Sequence, residues 1–422
     1  MHILQEILQN HKKNGYGGIF SVCSSHALVI EAAALYCKQK NCHLLLEATS
    51  NQVNQFGGYT GYVPRTFIKY ALDIIDKTGL SRHQVIFGGD HLGPNAWQNE
   101  DSQIAMEKSE QLIAGYVKAG FTKIHLDCSM SCKDDPIPLS DATIASRAAR
   151  LCKIAEEAAK DMPQKPIYII GTEVPVPGGA SDDLTAHMQV TQVDDAQNTL
   201  DIHEKEFAYL GLEEAFERVV GLVVQPGVEF DHTQIYDYKA EDAQQLSQLC
   251  TADKSWVFEA HSTDYQLKEN LKKLVQNHFA ILKVGPGLTF AMREAIFALA
   301  AIEKRLKPDT ASQIEEVVEI AMLKNPNNWQ KYYEGNEQQQ QFARKFSLSD
   351  RIRYYWNMDE VEAALELLLN NLKEPIALPL ISQYLPDLYK DIRKGNIEHN
   401  GKGLILAKIM KVCDDYQQAC EK

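Results

Sequence analysis

The sequence predicts an α/β protein, a (β/α)8 TIM barrel with a C-terminal helical extension, and three observations carry that expectation. Short apolar runs alternate with helix-length amphipathic segments, the runs end in polar residues, and the alternation stops after residue 307. Strands that alternate with helices build right-handed βαβ units and a parallel sheet. The eight runs are 18–23, 43–47, 84–87, 123–127, 167–170, 221–225, 255–259 and 280–284. Helical periodicity fills 27–39, 65–77, 102–118 and 141–160 between them. Eight such units fit the roughly 250-residue size of a barrel with insertions. An open doubly wound sheet has one switch point, and polar strand ends recurring this evenly argue against it. The barrel is therefore expected over 1–307.

Residues 308–422 read as helices, clearest at 312–323 and 361–372, and are expected to form a helical subdomain on the barrel. The tract 336–341 is low in complexity and reads as solvated. Arg351, Arg353, Tyr354, Tyr355 and Trp356 cluster in one short run. These residue types are enriched at interface hot spots. They are expected to dock on the barrel or on a partner, away from the reaction centre.

Composition narrows the partners. A net charge of −14 argues against a nucleic-acid backbone, which needs Lys and Arg in surplus. No apolar run reaches membrane-spanning length and no signal segment is evident, so a cytoplasmic protein with no membrane partner is expected. The nine cysteines are scattered and odd in number, as befits reduced thiols.

The most informative stretch is 84–97, QVIFGGDHLGPNAW. Apolar residues give way to Asp90 and His91, which marks the C-terminal end of a buried strand, the end that faces the active-site mouth in a barrel. Such a pair can supply a metal ligand and a proton-transferring carboxylate; the plainer reading is an Asp that caps the next helix. Other strand ends add Glu47, Asp127, Glu173, Glu259 and Lys283. His91, His232 and His261 follow the third, sixth and seventh strands and are expected to hold a divalent ion, zinc first, with Glu173 close by. Asp90, Asp127 and Glu173 are the candidate catalytic carboxylates. Glu47, Gly58, Lys283, Gly285 and Gly287 are the candidate substrate-binding residues, because glycine lets backbone N–H groups approach an anion and the loop after strand eight often holds phosphate.

The runs 47–61 (EATSNQVNQFGGYTG), 223–230 (VVQPGVEF), 346–356 (FSLSDRIRYYW) and 378–386 (LPLISQYLP), with Asp90-His91, resemble the Z subunit of tagatose-1,6-bisphosphate aldolase. The resemblance spans nearly the whole chain. It implies a barrel related to class II aldolases and a non-catalytic role, in which the chain supports a separate catalytic subunit in galactitol or amino-sugar breakdown. It also implies a link to C4 epimerisation of ketohexoses. By likeness to the catalytic class II enzymes, Asp90 is the proton-transferring acid and His91 and His261 are metal ligands, while His232 is the least secure match. Residues 125–129 and Glu173 align with further mouth motifs. Two departures stand out. Where those enzymes place Gly-Ala-Ser-Gly for phosphate, this chain has Ser262, Thr263, Asp264 and Tyr265, and an Asp there repels phosphate. The loop 61–67 around Arg65 also differs from the family's usual run.

Three functions follow as expectations. The first is an aldolase Z subunit with a metal-capable mouth, a homo-oligomer that takes a ketohexose or ketohexose (bis)phosphate and a catalytic aldolase partner. The second is a metal-dependent aldolase or ketose C4-epimerase in its own right. The third is a chaperone-like binding module without chemistry.

Overall fold

The computed structural model describes residues 2–171, 190–252 and 255–421. Eight parallel strands close into a barrel: β1 (Ile19–Val22), β2 (Leu44–Thr49), β3 (Val85–Leu92), β4 (Lys123–Leu126), β5 (Ile167–Gly171), β6 (Val219–Val223), β9 (Val257–Ala260) and β10 (Phe279–Val284). Between β6 and β9 lies a small antiparallel hairpin, β7 (Glu229–Phe230) with β8 (Ile235–Tyr236). The (β/α)8 barrel expected from the alternation is thus observed.

Side chains inside the barrel are layered. At the N-terminal end of the strands, Ile19, Leu45, Ile86, Ile167, Val257 and Ile281 form an apolar cluster. Leu4 and Leu8 of the helix Ile3–Asn14 belong to the same cluster, so this helix plugs the barrel's lower end. Above that plug the interior turns ionic. Glu47, Gly88 and Lys123 share one register row across β2, β3 and β4. Gly88 is required there: a Cβ on it would lie 2.7 Å from Glu47 Cγ. Its missing side chain lets the Lys123 ammonium reach Glu47 at 2.8 Å.

Helices follow β10 to the end of the described chain. The last barrel helix, Pro286–Leu306, ends beside the expected boundary at residue 307. The apolar core nevertheless runs across that boundary, joining Phe20, Leu288 and Ile296 to Trp329, Trp356 and Leu404. The long helix Gly401–Cys420 packs on the helices Ala27–Lys40, Lys268–Gln276 and Pro286–Leu306. Its Tyr416 hydroxyl donates to the Thr263 carbonyl at 2.8 Å, tying the tail to the loop after β9. The glutamine tract forms part of the helix Glu337–Phe346, which Asn336 caps. All nine cysteines are free thiols. Among the described residues, no helix is long and apolar enough to cross a membrane.

Candidate functional site

The site begins with an irregularity. Gly89 pairs with Ile124 and Leu92 with Leu126, so β3 carries one more residue than β4 over this stretch. A bulge at a strand end re-aims its side chains. Here it turns both Asp90 and His91 into the mouth, with His91 at φ +47°. That left-handed backbone is costly for a residue with a Cβ. Two contacts hold it: His91 N–H donates to His125 Nδ1 at 3.2 Å, and His91 Nδ1 donates to Asp127 Oδ2 at 2.8 Å.

Four groups then converge. Asp90, His125, Glu259 and His261 are all buried, and one ligand atom from each lies within 4.8 Å of every other. Asp90 Oδ1 is 3.0 Å from His125 Nδ1 and 3.0 Å from Lys283 Nζ, while Glu259 Oε1 lies 3.0 Å from His261 Nε2. The second His125 nitrogen faces the Gly171 carbonyl at 2.9 Å and must donate to it. Nδ1 accepts from His91 N–H and lies 3.0 Å from Asp90 Oδ1, so an imidazole nitrogen and a carboxylate oxygen stand side by side, as two ligands of one ion would. Imidazole and carboxylate donors of this kind fit a divalent ion such as zinc.

The electrostatics favour ionised carboxylates on this floor. Burial opposes charge on Asp90, but Lys283, His91, His125 and His261 outweigh it and hold the carboxyl well below its usual range. Glu259 is likewise held low against its burial, by Lys123, Lys283 and His261. Burial alone would make His91 easier to deprotonate, yet Asp90 and Asp127 raise it to about 9. His261 is pushed down to about 4 by burial, so its ring is neutral at pH 7. Lys283 is raised well above the ordinary lysine value, because Asp90, Cys23, Glu47 and Glu259 outweigh its burial.

The floor opens into a cavity of about 240 Å³. Asp90, His91, Asp127, His261 and Lys283 line its base. Asn51, Gln52 and Tyr59, from the loop after β2, form one wall. The roof is Tyr332, Arg351, Arg353 and Tyr354. This corrects the expectation that the aromatic–arginine run lies away from the reaction centre. The run is split: Tyr355 and Trp356 are buried in the core, while Arg351, Arg353 and Tyr354 face the cavity. A larger cavity of about 700 Å³ lies between the helix Ala27–Lys40 and the C-terminal helices. It contains no cluster of metal-capable groups among the described residues, so the chemistry belongs to the smaller one.

The other expected residues divide. The structure brings the rings of His91 and His261 close, with centroids 4.8 Å apart, but of the two only His261 belongs to the four-group cluster, since His91 Nδ1 is taken by Asp127. It does not bring His232 to them. Gly227, at φ +89°, turns the chain after β6, and His232 falls in the β7–β8 turn. One of its ring nitrogens faces the Tyr332 carbonyl at 2.8 Å and the other the Ser347 and Ser349 hydroxyls. His125 stands in its place. Sequence reasoning passed over His125 because it lies inside the fourth apolar run, yet Lys123, His125 and Asp127 alternate with Ile124 and Leu126. Period-two polarity in a barrel strand was the available signal. Glu173 lies outside the described residues. Glu47 is fully buried between Lys123 and Lys283, with Ser21 donating to it, and does not line the cavity. Gly58 serves a turn: at φ +57°, a Cβ on it would meet the Gln52 carbonyl at 2.3 Å. Gly285 lines the cavity, but its N–H and that of Gly287 donate to Asp264 Oδ1, at 3.0 and 2.7 Å.

Comparison with known proteins agrees with this geometry. A crystal structure from Sinorhizobium meliloti 1021, named a probable tagatose 6 phosphate kinase, is 45% identical with a TM-score of 0.89. That match covers 96% of this chain and all of the other. The fructose-bisphosphate aldolase of Campylobacter jejuni shares the fold at 12% identity and a TM-score of 0.50, covering 99% of this chain and 95% of its own. The family model for the D-tagatose-1,6-bisphosphate aldolase subunit GatZ/KbaZ-like proteins matches residues 4–421. The chain, with its aldolase-like barrel, therefore belongs to the GatZ/KbaZ-like family.

Proposed function

We propose that this mouth carries out metal-dependent aldol chemistry on a ketohexose or a ketohexose phosphate. One observation carries the reading: four buried metal-capable groups cluster at the base of a cavity that two of them, Asp90 and His261, line beside a second carboxylate–imidazole pair, Asp127 with His91. Burying that many ionisable groups is costly, and a pure scaffold has no need of them. Asp90, His125, Glu259 and His261 would hold the divalent ion, with zinc suited to the donors. Bound there, it supplies electrophilic polarisation of a ketose carbonyl.

The chain's own residues supply the rest. Cleavage between C3 and C4 of a ketohexose begins with loss of the C4 hydroxyl proton. Asp90 is kept ionised, and its Oδ1 is engaged by Lys283 and His125. Its Oδ2, with His91 Nε2 at 3.8 Å, is the atom that takes the proton. His91, charged and anchored through Nδ1 to Asp127, offers its Nε2–H to the returning oxygen. Lys283 stays an ammonium fixed among Glu47, Asp90 and Glu259, so it orders the floor and forms no imine with the carbonyl. The roof keeps water from the reactive intermediate. Rotation of the aldehyde before re-addition would invert C4, so epimerisation calls on the same groups.

A second reading has its own support. The family description names an aldolase subunit, which favours a chain that sustains a separate catalytic partner. Purified chain supplied with zinc, and assayed on tagatose 1,6-bisphosphate, the 6-phosphates and the free sugars, separates the two. Turnover by the chain alone is expected. Turnover only after a catalytic aldolase subunit is added would replace the first reading with the second.

A further inference from the structure

We infer that the anionic end of the substrate, a phosphate or a carboxylate, is held by Arg353 on the roof, and that the glycine loop after β10 does not bind it. The identity of the remaining ligand rests on the ketose reading above; the anion site itself does not.

The glycine loop is already filled. Backbone N–H groups at the start of a helix after the last barrel strand are a common phosphate cradle. Here Asp264 Oδ1 takes the N–H groups of both Gly285 and Gly287. Asp264 is buried and lies on the cavity wall. Asp350, from the tail, sits against the first turn of the same helix and accepts from the Thr289 hydroxyl at 2.5 Å. An incoming phosphate would meet the Asp264 carboxyl and find its donors taken.

Arg353 brings the opposite charge to the cavity. Arg353 lines the cavity that Asp90, His261 and Lys283 also line. Its hydrogen bonds among the described residues go only to neutral oxygens: the Ser349 and Asp350 carbonyls at 2.5 and 3.1 Å and the Tyr354 hydroxyl at 2.9 Å. Asp350 and Asp264 act on this guanidinium through space without hydrogen-bonding their carboxylates to it among the described residues, which leaves its fork open to an anionic ligand. Its planar fork of five donors matches a phosphate or carboxylate bidentately. Arg351 lies on the same roof and adds positive charge. The cavity therefore carries charge at both ends. Carboxylates and imidazoles sit at the floor, where a ketol would bind, and arginine sits at the roof, where the far end of a hexose would reach.

Tungstate soaked into crystals of the full-length chain tests this without any sugar. An anomalous peak against the Arg353 guanidinium is expected. A peak on the Gly285 and Gly287 N–H groups with Asp264 displaced, or no peak in the cavity, overturns the inference. In solution, inorganic phosphate should bind Arg353→Met at least tenfold more weakly than wild type, with Arg353→Lys in between; equal affinities overturn it. A free ketohexose, its 6-phosphate and the matching keto-hexuronate then name the anion, since only the preferred one loses its advantage in Arg353→Met. If tungstate and phosphate bind at Arg353 while no ketose binds the chain, the anion site stands and the ketose reading fails. If Arg353→Met does not fold, the tungstate position in the wild-type chain decides.

Discussion

On the floor of the cavity every functional side chain leaves a barrel strand or the residue just after one, and its neighbours are set by strand register. On the roof, Tyr332, Arg351, Arg353 and Tyr354 come from a helical stretch far beyond the last strand, brought back by packing. The floor therefore has its geometry fixed by backbone hydrogen bonds. The roof depends on the apolar core that joins the tail to the barrel. Chemistry common to many barrels can stay on such a floor while selectivity changes with the roof.

The comparison breaks most sharply if the tail is removed. A chain ended after Lys307 loses Trp356, Tyr333, Leu404 and the whole helix Gly401–Cys420 from the shared core. It is expected to lose cooperative thermal unfolding altogether. A truncated chain that melts like the full protein would show the barrel to be independent of its roof.

On the floor the expected damage is to rate and not to fold. Asp90→Asn should lower turnover by roughly 10²-fold or more, the usual scale of general acid–base catalysis. Metal analysis of the same variant sharpens the point: retained ion assigns Asp90 to proton transfer, and lost ion assigns it to the ligand set.

The junction of floor and roof should respond more mildly. Tyr416→Phe removes the hydroxyl that donates to the Thr263 carbonyl and lies 3.0 Å from the Thr263 hydroxyl. A loss of about 1–2 kcal/mol in urea unfolding is expected for a buried bond of this kind; an unchanged midpoint would show that apolar contact alone makes the junction.

A further effect concerns pH. Burial raises Asp350 from 3.8 to about 7, with Asp264 adding to it and Arg293, Thr289 and Arg353 opposing. The folded state thus holds this proton more tightly than the unfolded state. The stabilising share is complete below the unfolded value of 3.8 and is lost as pH rises through about 7. Asp350→Asn should flatten the wild-type fall in melting temperature over that window. A slope that stays the same would place the titration elsewhere.

The same division governs what the sequence could tell. Asp90, His91, Asp127 and His261 were legible because each follows an apolar run, and a strand's end fixes where its polar residues point. Lys123 and His125 were hidden by the same reasoning, since they lie inside a run read only for its apolar positions. His232 misled for a different reason. A left-handed glycine and a hairpin of two short strands carry it off the strand line, and its partners Tyr332, Ser347 and Ser349 lie far along the chain. Arg353 was read as part of a docking surface away from the reaction centre, and only tertiary packing turns it towards the floor. Asp264 was legible as a departure that repels phosphate; that its carboxylate occupies the glycine cradle became visible only once β9 and β10 were paired.

The central claim is that β3, β4 and β9 and the residue after β9 together present one divalent-ion site. Anomalous diffraction at the zinc edge, from full-length protein crystallised with zinc, tests it most directly. The account predicts one peak per chain bounded by Asp90, His125, Glu259 and His261, absent in Glu259→Gln and His261→Ala. A map with no peak there, or with the ion at His232, would contradict it.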